Sequence, residues 1–167
     1  VISSIQDLDT LLPRITQVIS EQFGHYHTGI FLLDDKREFA VLRAANSQGG
    51  RRMLKNGHKL TVGQTGLVGY VTATGRARIA LDVGTDAVYF DNPLLPDTHS
   101  EITLPLRISG RVIGALDVQS EISQAFSEDD ITTLLTMAEH LAVAINNAHL
   151  IDELQEANAE ILRNKVF

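Results

Sequence analysis

Cysteine is absent from the 167-residue chain. Disulfides, thiolate metal sites and cysteine nucleophiles are excluded together. The lack fits a reducing compartment, so a cytoplasmic location is expected. Basic residues are few: 14 Lys and Arg stand against 21 Asp and Glu, a formal charge of −7. A surface of that sign repels phosphate backbones, so no nucleic-acid partner is expected. No apolar run approaches the roughly 20 residues that a bilayer-spanning helix needs. No signal peptide is visible, and no membrane contact is expected. What is present is enough chain for one domain with a sizeable core. It begins at Val1 rather than Met and is read as an excerpt of a longer protein.

Val1, Ile5, Leu8, Leu12, Ile15 and Ile19 recur at spacings of four and three, an apolar stripe along one side of a helix. Ser4 or Thr10 can cap it; Pro13 lies in its first turn if Thr10 is the cap and kinks it otherwise. "YHTGIFLLD" and "EFAVLRAAN", separated by "DKR", read as a hairpin. "NSQGGRRMLKNGHKLTVGQ" reads mostly as loop, with a strand at 58–62. "TGLVGYVTATG" fits a short helix and "RARIALDV" a strand. "GTDAVYFDNPLLPDTHS" reads as loop with one helical turn.

"EITLPLRISGRVIGALDVQSE" is a second hairpin. Ile102, Leu104, Leu106 and Ile108 share one face of its first strand. Directly opposed residues lie on the same face. A two-residue Ser109-Gly110 turn would set Ile102 against Asp117 and mix the faces. A three-residue loop pairs Ile108 with Val112, Leu104 with Leu116 and Ile102 with Val118. Because register follows the buried face, the three-residue loop is expected. Thr103 then faces Asp117, and Glu101 faces Gln119, on a polar face that meets solvent or lines a cavity.

The last segment opens with a capping box, Ser127 to Asp130. No Pro or Gly follows through Lys165. The first half of this helix is rich in Leu, Ala, Val and Ile and suits a core. The second half keeps a narrow stripe, Ile151, Leu154 and Ile161 with Asn158 in register, which predicts a coiled-coil exit.

The run from Gly63 to Asn92 ("GQTGLVGYVTATGRARIALDVGTDAVYFDN"), then His99 to Ser120 ("HSEITLPLRISGRVIGALDVQS") and Phe126 to Leu150 ("FSEDDITTLLTMAEHLAVAINNAHL"), resembles the GAF domain family in order and spacing. With the first helix and "GIFLLD", the resemblance covers nearly the whole chain. It implies an α+β fold: a central antiparallel sheet of about six strands, terminal helices packed on one face, and short helices and loops roofing the other. It implies a GAF domain over 1–150 and a helical extension over 151–167. It further implies a non-enzymatic sensory or regulatory role in a signalling protein, with a small-molecule ligand, a homodimer, or both. An output module of kinase, cyclase, phosphodiesterase, chemotaxis or transcription-activator type is expected in the same longer chain. A ligand-free dimerising spacer and a cyclic-nucleotide, haem or bilin sensor are the alternatives. "SEISQAFSEDD" keeps Phe126 and the acidic residues of the cyclic-nucleotide pattern but lacks its Asn and Lys. Bilin-binding members mostly use a cysteine within the domain. Members that reduce methionine sulfoxide need cysteines, so that activity is excluded on this reading. The cofactor is unknown.

Candidate ligand-binding residues are Tyr70, Asp82, Tyr89, Phe90, Asn92, Thr103 and Asp117. Tyr89 and Phe90, aromatic side chains in a loop over a sheet, cover either core or ligand. For Asp82, Asp86, Asp91 and Asp97 the simpler reading is turn chemistry. "GQTGLVG" lacks the spacing of a phosphate loop and reads as a tight helix entry. His25 and His27 share a strand face; His140 and His149 lie nearly opposite on the last helix; no metal site is expected. Dimer-interface candidates are Ile5, Leu8, Leu12 and Ile15 on the first helix and Ile151, Leu154, Asn158 and Ile161 on the last.

Overall fold

Alternating strands build a sheet with a large apolar core under the terminal helices on one side and, on the other, a smaller apolar cluster around Phe31, Leu42 and Ala115 beside a polar patch on the last two strands. The computed structural model describes residues 5–23, 26–86 and 89–165; Val1, His25 and the Ile5 side chain lie outside the described residues. The strands are β1 (His27–Leu33), β2 (Phe39–Ala45), β3 (Lys59–Thr61), β4 (Arg78–Ala80), β5 (Ser100–Ile108) and β6 (Arg111–Ser120). They form one sheet in the order β3-β2-β1-β6-β5-β4, antiparallel throughout. The helices are α1 (Ile5–Phe23), α2 (Gln48–Lys55), α3 (Gly66–Thr74) and α4 (Glu128–Lys165), with a 3₁₀ turn at Val83–Thr85. This is the α+β architecture the sequence leads one to expect.

The terminal helices cover the side with the larger core. Leu8, Leu12 and Ile19 of α1 and Leu134, Leu141 and Ile145 of α4 close on Ile102, Leu104, Leu106, Leu116 and Val118. The expectation that Leu8 and Leu12 face a second chain is corrected here. They are 0% and 1% exposed, consumed by the domain's own core, and Ile15 is half-buried against that core. A 3-4 stripe announces an apolar partner but not whether that partner is a sheet or another chain. Pro13 sits inside α1, which starts well upstream of it.

The loop reading of 46–57 fails over α2. Ser47 caps that helix, its Oγ accepting from the Gly50 N–H at 2.8 Å. The paired glycines serve close approach rather than turning: a Cβ at Gly49 would lie 2.0 Å from the Leu94 carbonyl oxygen. α4 starts as expected, with reciprocal bonds from the Ser127 N–H to Asp130 Oδ2 (3.0 Å) and from the Asp130 N–H to Ser127 Oγ (3.1 Å). Its 38 residues span about 57 Å at 1.5 Å per residue.

The β5–β6 hairpin keeps the expected pairing away from the turn: Ile102 with Val118, Thr103 with Asp117, Leu104 with Leu116. The turn itself differs from expectation. Ile108 pairs with Arg111, so Ser109-Gly110 is a two-residue turn, with φ of 52° and 80°. Two positive φ values give the primed turn whose twist suits a hairpin. The register shifts after Leu106, where Ile113 is left over between Val112 and Gly114. The additional residue needed to keep the faces apart is a β-bulge in β6, not a third loop residue.

Candidate functional site

In the polar patch, β5 and β6 present four neighbours. Asp117 and Gln119 project from β6; Thr103 and Glu101 face them from β5. All are buried: Thr103 0%, Asp117 2%, Glu101 6%, Gln119 8% exposed. Thr103 Oγ1 donates to Asp117 Oδ1 (2.7 Å). Gln119 Nε2 donates to Asp117 Oδ2 (2.7 Å) and to Glu101 Oε2 (3.2 Å). Thr98 Oγ1 donates to Gln119 Oε1 (2.6 Å), which fixes the orientation of the amide. Both Asp117 oxygens accept hydrogen bonds.

These groups floor a cavity walled by Phe31, Met53, His58, Leu60, Leu67 and Val68 and roofed by Phe90 and Asn92. Phe90 is seated by Gly66, whose φ is 67°; a Cβ there would lie 2.9 Å from the Phe90 Cβ. Asn92 Nδ2 reaches Met53 Sδ at 3.5 Å, and its Oδ1 accepts from the Leu94 N–H at 2.9 Å. The cavity volume is about 20 Å³, enough for one water.

Burial shapes the titration of this site. The Glu101 carboxyl is pushed well above its ordinary range, chiefly by burial, then by the neighbouring Asp117 charge and its hydrogen bond, with Asp86 adding and the Gln119 bond opposing. The Tyr89 phenol is pushed up to about 12 by burial and by Glu101. His27 is pushed down to about 4, again mainly by burial, against the opposing pull of Asp117. His58 is lowered for the same reason. Both imidazoles are therefore neutral near pH 7. No Lys or Arg lines the cavity among the described residues, so Asp117 has no counter-cation there.

The sequence-derived candidates divide. Phe90, Asn92 and Asp117 line the cavity, and Thr103 sits directly beneath, bonded to Asp117. Tyr89 is half-buried beside Glu101. Tyr70 instead lies under the Arg78 guanidinium, 4.7 Å from ring centroid to Cζ. Arg78 in turn holds both Asp86 oxygens, at 3.2 and 3.3 Å. Asp82 is exposed and caps the 3₁₀ turn, accepting from the Gly84 N–H at 3.1 Å, so the simpler turn-forming reading applies. Glu101, Gln119, His58, Phe31 and Met53 were not singled out. The first two carried a signal, being on the polar face opposite each other. The other three come from separate elements that only the fold brings together.

On α4, Leu154 and Ile161 are 62% and 51% exposed, as are Val143 (50%) and Leu150 (53%). Ile151 is half-buried and Asn158 exposed. The exposed seam is therefore Val143, Leu150, Leu154 and Ile161, one step round the helix from the stripe drawn through Ile151 and Asn158. Among the described residues no helix is long and apolar enough to cross a membrane, and no group of three or more His, Asp or Glu converges as a metal site.

Comparison with known proteins bears on this arrangement. The curated protein YtsP of Bacillus subtilis is 40% identical over 48 residues, 29% of this chain and 29% of its own length. The GAF domain of a phosphoenolpyruvate-protein phosphotransferase from Coxiella burnetii superposes with a TM-score of 0.75 at 26% identity, over 84% of this chain and 83% of that one. The free methionine-R-sulfoxide reductase of Neisseria meningitidis, solved with its substrate, superposes with a TM-score of 0.72 at 25% identity, over 84% and 78%. These findings overturn the expectation of a non-enzymatic regulatory domain. Free methionine-R-sulfoxide reductases share the fold, so membership of it does not exclude catalysis. A family model described as the GAF domain matches residues 5–146, and with that match, the six-stranded sheet and the roofed polar cavity, the chain belongs to the GAF domain family.

Proposed function

We propose that the cavity binds a small molecule carrying a protonated nitrogen, with Asp117 as its counter-charge. One observation carries this reading: a carboxylate 2% exposed, with both oxygens accepting and no cationic side chain in the cavity wall. A buried charge without a partner is costly, and a ligand cation offsets that cost. The apolar wall of Phe31, Met53, Leu60 and Leu67 suits a short hydrocarbon body on the same ligand. The site also offers chemistry to what it binds. Glu101, its carboxyl raised well above the ordinary range by burial and by Asp117, stands beside a second carboxyl that accepts hydrogen bonds. The ionisable side chains that line the cavity are the carboxyls of Glu101 and Asp117 and the imidazole of His58.

The test is a thermal-shift and calorimetric screen of alkylammonium compounds and free amino acids against the matching alcohols. The wild type is expected to respond to the ammonium series and not to the alcohols, and Asp117→Asn to lose that preference. An equal response to alcohols and ammonium compounds would sink the reading.

A second reading concerns α4. Val143, Asn147, Leu150, Leu154, Ala157 and Ile161 follow a four-three heptad spacing on its exposed side, supporting a parallel pairing with a second copy. In that register Asn147, rather than Asn158, takes the polar core position. The division into a domain over 1–150 and a helical extension over 151–167, and the presence of an output domain in a longer chain, belong to this same reading. The Coxiella GAF domain, part of a larger phosphotransferase, supports it.

A further inference from the structure

We infer that the side-chain amide of Gln119 is the cavity's own stand-in for the ligand's nitrogen, and that Gln119 thereby sets which ligands the site accepts. The inference rests on the cation-binding reading above. Its ground is geometric. Gln119 Nε2 lies between the two carboxyl groups, 2.7 Å from Asp117 Oδ2 and 3.2 Å from Glu101 Oε2, and directs one N–H to each. A primary ammonium placed between the same two oxygens would make the same two bonds, with a full positive charge behind them. The ligand nitrogen and the amide therefore compete for one position.

The other end of the amide shows that this is a held arrangement. Thr98 Oγ1 donates to Gln119 Oε1 at 2.6 Å. Thr98 also has the Leu95 carbonyl within reach, at 3.1 Å. When Gln119 swings away, Thr98 turns its single proton to Leu95 and is not left unsatisfied. The swing therefore has somewhere to begin without an orphaned hydroxyl. Asn92 and Phe90 line the same cavity as Gln119, so the amide moves within the space the ligand takes up.

Selectivity follows from this. A neutral donor gains no more from the two carboxyl groups than Gln119 already gives them, so it cannot displace the amide. A cation can, because it sets a full positive charge against the Asp117 carboxylate, where the amide brings only a dipole.

Methylammonium is the probe, with acetamide as the neutral mimic of the amide itself; binding is read by calorimetry on the full chain. Gln119→Ala empties the position. It is expected to bind methylammonium about tenfold more tightly than wild type, the scale of one or two released hydrogen bonds. Acetamide is expected to bind it more weakly than methylammonium. Thr98→Val, which loosens the anchor and leaves both carboxyl groups in place, is expected to shift methylammonium affinity in the same direction by a smaller factor. It serves alone if Gln119→Ala folds poorly. Unchanged or weaker methylammonium binding in both variants, or acetamide binding Gln119→Ala as well as methylammonium does, overturns the inference. The two proposals separate cleanly. If wild type shows no preference for ammonium compounds over alcohols, the cavity reading itself fails. If wild type shows the preference and the variants show no gain, only the role given to Gln119 fails.

Discussion

Replacing Glu101 by Gln should remove Glu101's share of the pH dependence of stability above pH 4.5. Glu101 has its folded pKa raised above 4.5, by burial first and by Asp117 second. The folded state therefore holds a proton that the unfolded chain has released. A raised pKa contributes stability that is complete below the unfolded value and is lost as pH climbs through the folded one. Within that window the slope is one proton's worth, about 1.4 kcal/mol lost per pH unit. The imidazoles work in the opposite sense. His27, lowered to about 4 from 6.5, makes the protein less stable as pH falls below 6.5. Over its full range, 2.5 pH units, the loss reaches about 3 kcal/mol. His58 acts in the same direction. Between pH 4.5 and 6.5 the contributions partly cancel in the wild type, and the difference between wild type and Glu101→Gln isolates that of Glu101. Gln reproduces the neutral acid, with a donor toward Asp117 and an acceptor for Gln119. Urea melts of wild type and Glu101→Gln at half-unit steps from pH 5 to 8.5 give the difference directly. Wild type should lose stability relative to the variant as pH rises above 4.5. Curves that stay parallel from pH 5 to 8.5 would refute the buried proton.

Ser127→Ala removes one half of the α4 capping box and should cost about 1 kcal/mol in urea melts, with no change in pH slope. Leu150→Glu together with Leu154→Glu should halve the mass seen by light scattering at micromolar concentration and leave the melting of the domain unchanged. A monomeric mass for the wild type, or a dimer indifferent to the pair of changes, would end the paired-helix reading.

The sheet was legible because it declares itself in alternation. Leu104 and Leu116 had to share a face, and Thr103 and Asp117 had to share the other. The caps were legible because Ser127 and Asp130 act within one turn. α2 was not, because a glycine pair reads as a break unless the Leu94 carbonyl it makes room for is known. The cavity was half legible. Its roof and its Asp117 floor lay in the polar alternation and the aromatic loop. His58, Phe31 and Met53 come from separate elements and meet only once β1 pairs with both β2 and β6. The fate of the α1 stripe was not legible at all. Leu8 and Leu12 look the same in sequence whether they dock on a sheet or on a neighbour.

The bulge at Ile113 acts as a parity bit. A two-residue turn with an uninterrupted ladder would set Asp117 opposite Ile102 and drive the carboxylate into the helix-packed core. One unpaired residue inverts the count and returns Asp117 to the cavity. The stretch from Gly110 to Asp117 is therefore fixed modulo two. Losing or gaining a pair of residues preserves which side every later side chain takes. Losing or gaining one turns the end of β6 inside out, burying Asp117 and Gln119 in oil and exposing Leu116 and Val118 to the site. The same arithmetic makes the turn and the bulge interchangeable places for the odd residue: a three-residue turn with no bulge would leave Asp117 facing Thr103 as it does now.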